Sequence, residues 1–249
     1  MMWMRTLVER LARGRSLVRR LPSDYRSVKI VVSPDSQLKY LRPGRKGFDA
    51  ELLDIADQFS GPDKKVWDVG ANVGVFSLAS AARGAKVLSI EADPFLAGLL
   101  RRSLEINARM GLDVRVLCAA IAHSNGIGEL MIAKRGRASN ALKAAKGSDQ
   151  MGGVRQEVTV PLLTMDVLMD GSFAPDFVKI DVEGAEIMVL AGAEKLLRDI
   201  RPVIYIEVSQ RNAEEATAIL HKANYKLFSP SDTGIEISEC VFNTLAIPT

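Results

Sequence analysis

The sequence predicts an α/β fold, a mainly parallel sheet with helices on both faces. From residue 65 onward, short apolar runs alternate with helical patterns, the order that builds such sheets. The chain has 249 residues, 47% hydrophobic and 25% charged, enough apolar side chain to bury one sizeable core. The first strand also runs directly into a glycine turn and then a helix, a form that brings backbone close to a ligand.

Taken in order, residues 65–69 form the first strand and 73–82 the helix after it. Residues 86–90 are the next strand, and Pro94 opens a helix at its favoured first position. Leu96, Leu100 and Leu104 recur every four residues along that helix, so they share its buried face. Residues 114–119 are a third strand. Further strands are expected at 129–133 and 156–162, separated by a polar stretch without periodicity at 134–153. Residues 177–181 are a strand, and Ile187, Leu190 and Leu197 share a face of the helix that follows. A strand at 202–208, a helix at 213–222 and strands at 225–228 and 241–247 complete the pattern. Upstream lie a possible strand at 28–32 and a helix at 48–59. There is no internal repeat.

Charge divides the chain. Residues 1–20 hold six arginines against Glu9, a net +5, so the remainder of this +3 chain sums to −2. If helical, this segment puts Met4, Leu7, Val8, Leu11 and Val18 on one face. Two readings are open: a packing helix with a solvated basic side, or peripheral contact with an anionic membrane or acidic partner. The expected organisation is an N-terminal basic helix and cap region over residues 1–59 and a main domain over 60–249. No apolar stretch is long enough to span a bilayer or to serve as a signal peptide. Cys118 and Cys240 make neither a disulfide framework nor a zinc cluster, and a cytoplasmic setting is expected. The small net charge gives no reason to expect a nucleic-acid partner.

The glycine turn reads Asp68-Val69-Gly70-Ala71-Asn72-Val73-Gly74. In nucleotide sites a carboxylate near the end of the next strand holds the ribose hydroxyls, and Glu91 stands there. A dinucleotide turn would read GxGxxG; here Asn72 sits between Gly70 and Gly74, so the glycine that approaches a pyrophosphate is missing. A cofactor without phosphates fits better, and S-adenosylmethionine has ribose, adenine and an amino-acid tail that Asn72 can hydrogen-bond.

These motifs carry a resemblance. Asp68 to Gly74 (DVGANVG), Ile90 to Pro94 (IEADP) and Lys179 to Glu186 (KIDVEGAE) resemble the FkbM family of S-adenosylmethionine-dependent methyltransferases. Leu190 to Ala193 and Pro202 to Glu207 (PVIYIE) match as well, and the likeness covers roughly residues 60–210. Ala92 departs from it, since the family often has proline there. The resemblance implies a Rossmann-like class I methyltransferase sheet of seven mainly parallel strands, with 241–247 as the reversed one. It implies that Asp68, Gly70, Asn72 and Gly74 surround the methionine end and that Glu91 holds the ribose. Ala92 and Asp93 would border the adenosine, and Ala119 and Ala120 would flank the adenine.

Methyl transfer to an alcohol needs alignment, exclusion of water and removal of the hydroxyl proton. In an open parallel sheet the base belongs beyond the carboxyl ends of the strands. Asp181, Glu183 and Glu207 fall there, and His123 follows the third strand on the same edge. Asp181 is a candidate both for cofactor contact and for base, against capping the next helix; Glu183 and Glu186 also suit that helix's N-terminal dipole. Lys179 shares a strand face with Asp181 and needs an acidic partner, Asp181 or Glu207. No His/Cys/Asp spacing proposes a zinc site, and no metal is expected, although Asp181 and Glu183 are spaced so that they could hold a divalent ion. The expected function is O-methyl transfer to a small molecule, sugar or glycan, with residues 134–153 as a mobile lid over the acceptor. The alternatives are a nucleotide-dependent oxidoreductase and a non-catalytic docking module.

Overall fold

A computed structural model describes residues 13–145 and 152–249. Strands β1 (Leu17–Arg20) and β2 (Lys29–Val32) pair antiparallel at the start. Helix α1 (Ala50–Phe59) begins at Asp49, whose side chain accepts from the Glu51 N–H, and buries Leu53, Ile55 and Ala56. Then come β3 (Lys65–Val69), α2 (Val75–Ala82), β4 (Lys86–Ile90) and α3 (Pro94–Ile106). Pro94 occupies the first turn of α3 and Asp93 caps it, accepting from the Phe95 N–H at 2.9 Å.

After β5 (Val114–Leu117) the chain leaves the main sheet. Strands β6 (Ala120–Ile121), β7 (Gly126–Ala133), β8 (Ala141–Leu142) and β9 (Val154–Leu163) form a separate four-stranded sheet in the order β6-β9-β7-β8. Helix α4 (Met165–Gly171), capped by Thr164, leads back to β10 (Phe177–Ile180). Helix α5 (Glu186–Ala191), β11 (Val203–Glu207), α6 (Ala213–Lys222), β12 (Tyr225–Ser229), β13 (Asp232–Ile237) and β14 (Asn243–Pro248) complete the chain.

The main sheet runs β13-β12-β14-β11-β10-β3-β4-β5. Pairing is parallel from β5 to β11, and β14 lies antiparallel between β11 and β12. That is the expected Rossmann-like sheet with its reversed strand, lengthened by β13, an eighth strand whose exposed face gave no apolar signal. Helices cover both faces, so the central strands are buried on both sides and mostly apolar. Val66 and Phe177 pack with α1, α2 and β2, while Trp67, Val178 and Ile180 pack with α5 and α6.

Several expectations change. Leu17–Arg20 is a strand because it pairs with β2, so the helix expected over 1–20 does not extend there; residues 1–12 lie outside the described residues. The third strand stops at Leu117 rather than at residue 119. Within 134–153, residues 146–151 lie outside the described residues. The part up to 145 is not a free loop: it holds a 3-10 turn (Arg137–Ser139) and β8, which pairs with β7. The helix after β10 ends at Ala191, and Leu197 belongs to a separate turn, Leu196–Ile200, that reaches the same core. Among the described residues, no helix is long and apolar enough to cross a membrane.

Candidate active site

The carboxyl ends of β3, β4 and β10 open into a cleft, as expected for a parallel sheet. Its floor is the glycine turn. Gly70 has φ 78°, and a Cβ there would fall on the carbonyl oxygen of Asp181, so only glycine lets the β3 and β10 loops touch. Asn72 also takes a left-handed conformation, φ 54°, which asparagine tolerates. Its Oδ1 accepts from the Ser36 hydroxyl at 2.7 Å, joining the turn to the segment after β2.

Glu91 is buried at the end of β4. One carboxylate oxygen accepts from the Asn72 N–H at 2.7 Å and the other from the Asp93 N–H at 2.8 Å. Burial pushes its pKa up to about 7, against the downward pull of those two hydrogen bonds. Gly70, Asn72, Glu91 and Ala92 line the cleft, with Ala119 and Ala120 as a small apolar wall. Arg137 and Asn140 close it from the β7–β8 connection. Both donate to Asp93, Arg137 also pairs with Asp35 at 3.0 Å, and its guanidinium lies 4.5 Å from the Phe95 ring centre.

A second chamber adjoins the first, and Gly70, Asn72, Asp181 and Glu183 belong to both. Its other walls include Lys39, Tyr40 and Asp49 from the segment between β2 and α1, with Lys179 and Glu207 from the sheet. Glu183 has φ 44°, a strained backbone for a non-glycine residue, held in the loop between β10 and α5. Burial raises its pKa to about 7, with the charges of Asp181 and Glu186 adding to it. Burial likewise raises Glu207 to about 8, helped by Asp181 and opposed by Lys179. Glu186 is occupied elsewhere, accepting from the Gly184 N–H and the Asn212 amide.

The residues singled out in the sequence therefore separate. Gly70, Asn72, Glu91, Asp181, Glu183 and Glu207 come together, with Ala92, Ala119 and Ala120 around them. Asp68, Gly74 and Asp93 lie behind the walls. Asp68 is fully buried, accepts from Ser77 and pairs with Lys179; Gly74 leaves room for Leu100; Asp93 caps α3 and anchors Arg137. His123 is exposed in the bend after β6, outside both chambers, because the chain turns outward once β5 has ended. Lys179 has an acidic partner as expected, but the nearest is Asp68 at 3.1 Å, with Asp181 at 3.5 Å. Arg137, Asn140, Lys39 and Tyr40 had no local signal, since they come from short turns between the main elements, and Asp49 was legible only as part of a helix start.

The model of the Methyltransferase FkbM domain matches residues 68–227, from the glycine turn into β12. The chain belongs to the FkbM methyltransferase family. No curated protein matches it. Among solved structures it is similar to methyltransferase FkbM from Methylobacillus flagellatus, at 14% identity and TM-score 0.48, covering 86% of this chain and 58% of that one. It is also similar to precorrin-6y C5,15-methyltransferase from Geobacter metallireducens, at 13% identity and TM-score 0.48, covering 80% of this chain and 87% of that one. A third likeness is to the tRNA (uracil-54, C5)-methyltransferase of Pyrococcus abyssi in complex with S-adenosyl-L-homocysteine. There the identity is 15% and the TM-score 0.48, over 93% of this chain and 43% of that one. In this FkbM chain the matched segment contains Gly70, Asn72, Glu91, Asp181, Glu183 and Glu207, and excludes the chamber residues 37–49 that precede α1.

Proposed function

We propose that this chain is an S-adenosylmethionine-dependent O-methyltransferase acting on a hydroxyl of a small molecule, sugar or glycan. The observation that carries the reading is that two compartments share Asp181 and Glu183, one reaching the buried Glu91 and the other the half-buried Asp49 and Glu207. The residues present fit the cofactor. Each oxygen of Glu91 has accepted one backbone N–H and keeps a second lone pair for a ribose hydroxyl. Ala119 and Ala120 offer a flat apolar wall for adenine, and Asn72 and Asp181 stand where the methionine tail would lie. S-adenosylmethionine, when bound, supplies a methyl group activated by sulfonium.

The chain's own work is on the acceptor. The chamber excludes water and aligns a hydroxyl beside the shared wall. Glu207 is the base: its carboxylate is half-buried, has no ion pair among the described residues, and is poised near neutral pH, where proton acceptance is most effective. Asp181, at the junction, orients both ligands. Two unpaired thiols, Cys118 and Cys240, suit the cytoplasmic setting that belongs to this reading. Calorimetry tests it: S-adenosylhomocysteine should bind and NAD should bind far more weakly. Preference for NAD would favour the oxidoreductase alternative, and no binding of either would favour a docking module.

A further inference from the structure

A third cavity lies beyond the acceptor chamber, between the segment after β2 and the β7–β8 connection. It shares Gln37, Lys39 and Ala138 with the chamber as walls. Its volume is about 580 Å³, against about 140 Å³ for the chamber, so an acceptor larger than the chamber has this space to extend into.

The cavity is lined with cations. Lys39, Arg42, Lys134 and Arg135 border it, and Asp35 is the one acid among its described walls. Asp35 offers no countercharge to a ligand. Its side chain is 4% exposed and already paired with Arg137 at 3.0 Å and Arg155 at 2.9 Å. Burial would raise its pKa, but the two guanidinium groups outweigh that and hold it below the ordinary value, so it stays an anion matched within the wall. Lys39 is shared with Asp49 at 3.2 Å. Arg42 and Lys134 are exposed and, among the described residues, have no ion pair.

We propose that this cavity is an anion subsite for the acceptor, taking a phosphate or diphosphate ester while the hydroxyl to be methylated reaches Asp181 and Glu207. The inference rests on the methyltransferase reading and narrows its acceptor to phosphorylated glycosyl compounds. Two uncompensated cations facing one cavity suit a dianionic group better than a single carboxylate. A guanidinium fork and a lysine point charge are both good phosphate partners.

The probe is inorganic pyrophosphate, titrated calorimetrically into the full chain, alone and with saturating S-adenosylhomocysteine. Pyrophosphate should bind with Kd on the order of 1 mM or tighter, and binding should weaken as salt is raised. The double variant Arg42→Glu/Lys134→Glu should weaken it by at least about tenfold, the worth of a single lost charge-assisted bond. S-adenosylhomocysteine binding should be unchanged in the variant, which also shows that it folds. Comparing glucose 1-phosphate with UDP-glucose then separates a monophosphate acceptor from a diphosphate one. Absence of pyrophosphate binding, binding indifferent to the double variant, or displacement by S-adenosylhomocysteine overturns the subsite. Failure of S-adenosylhomocysteine itself to bind the parent chain would instead strike the methyltransferase reading.

Discussion

The Nζ of Lys179 lies 3.1 Å from Oδ1 of Asp68, its register partner on the neighbouring parallel strand. Both side chains are buried. The same ammonium donates to the Gly70 carbonyl at 3.1 Å and stands 3.5 Å from Asp181. One cation thus ties the end of β3, the glycine turn and the first acid after β10. Burial alone would lower its pKa, but the charges of Asp68, Asp181 and Glu207 outweigh this and raise it above the ordinary lysine value. Lys179 therefore remains charged and positions the site rather than exchanging protons.

Removing it should be costly. Lys179→Met strands the carboxylate of Asp68 in the core, and breaking a buried pair from one side costs about 3–5 kcal/mol. Adding Asp68→Asn should recover part of the loss, because the uncompensated charge goes with it. Urea denaturation of both variants is the measurement. A single variant with the parent's midpoint would mean that the pair does not support the turn.

Glu91→Ala should weaken S-adenosylhomocysteine binding by about 1–3 kcal/mol, since it deletes the ribose acceptor and leaves two backbone N–H groups without their partner. Glu91→Gln keeps the shape but turns an amide donor toward one of those N–H groups, so it should weaken binding too. Calorimetry on both, with near-ultraviolet circular dichroism for packing, checks this. Parent-like affinity in Glu91→Ala would remove Glu91 from the cofactor site.

How far the site was legible follows from the range of each signal. The turn at Gly70–Gly74 and the acids at strand ends are local patterns, and they proved to lie at one sheet edge. The pairing of Lys179 was legible as a need, from its place in a buried strand, but not as Asp68, because register between distant strands leaves no local mark. His123 was misplaced for a definite reason. The apolar run of residues 114–119 reads as one strand, yet β5 stops at Leu117 and the chain turns into β6 to pair with β9. Leu17–Arg20 shows the same override, a pattern compatible with a helix drawn into a strand by pairing with β2. The cations of the third cavity come from irregular segments, where no periodicity announces which side chains converge.

Stability should fall as pH rises from about 4.5 to about 8. Glu183 and Glu207 have folded-state pKa values raised to about 7 and about 8 from an ordinary 4.5. Across that interval the folded chain holds protons that the unfolded chain has released, so the slope of unfolding free energy with pH is negative, and it flattens above about 8. Glu207→Gln should remove much of this fall and raise Tm at pH 8 relative to the parent. Melting curves across the interval decide it; a parent Tm that climbs through this range would show that neither carboxyl is raised.

The same carboxyl sets the pH dependence of the reaction. With Glu207 as base, kcat/KM should rise with pH until it levels near the raised pKa of this carboxyl, about 8. Glu207→Gln should lose about 100- to 10,000-fold in turnover, the usual contribution of a general base, and should flatten the pH limb. Its affinity for S-adenosylhomocysteine should change little, because Glu207 lines only the acceptor chamber. Asp181 borders both compartments, so Asp181→Asn should lower turnover strongly and cofactor affinity to a smaller degree. Single-turnover rates and calorimetric Kd values for each variant separate the two roles. If Glu207→Gln keeps both the parent rate and the parent pH limb, the proton goes to Glu183, the other half-buried acid of the chamber without an ion pair among the described residues.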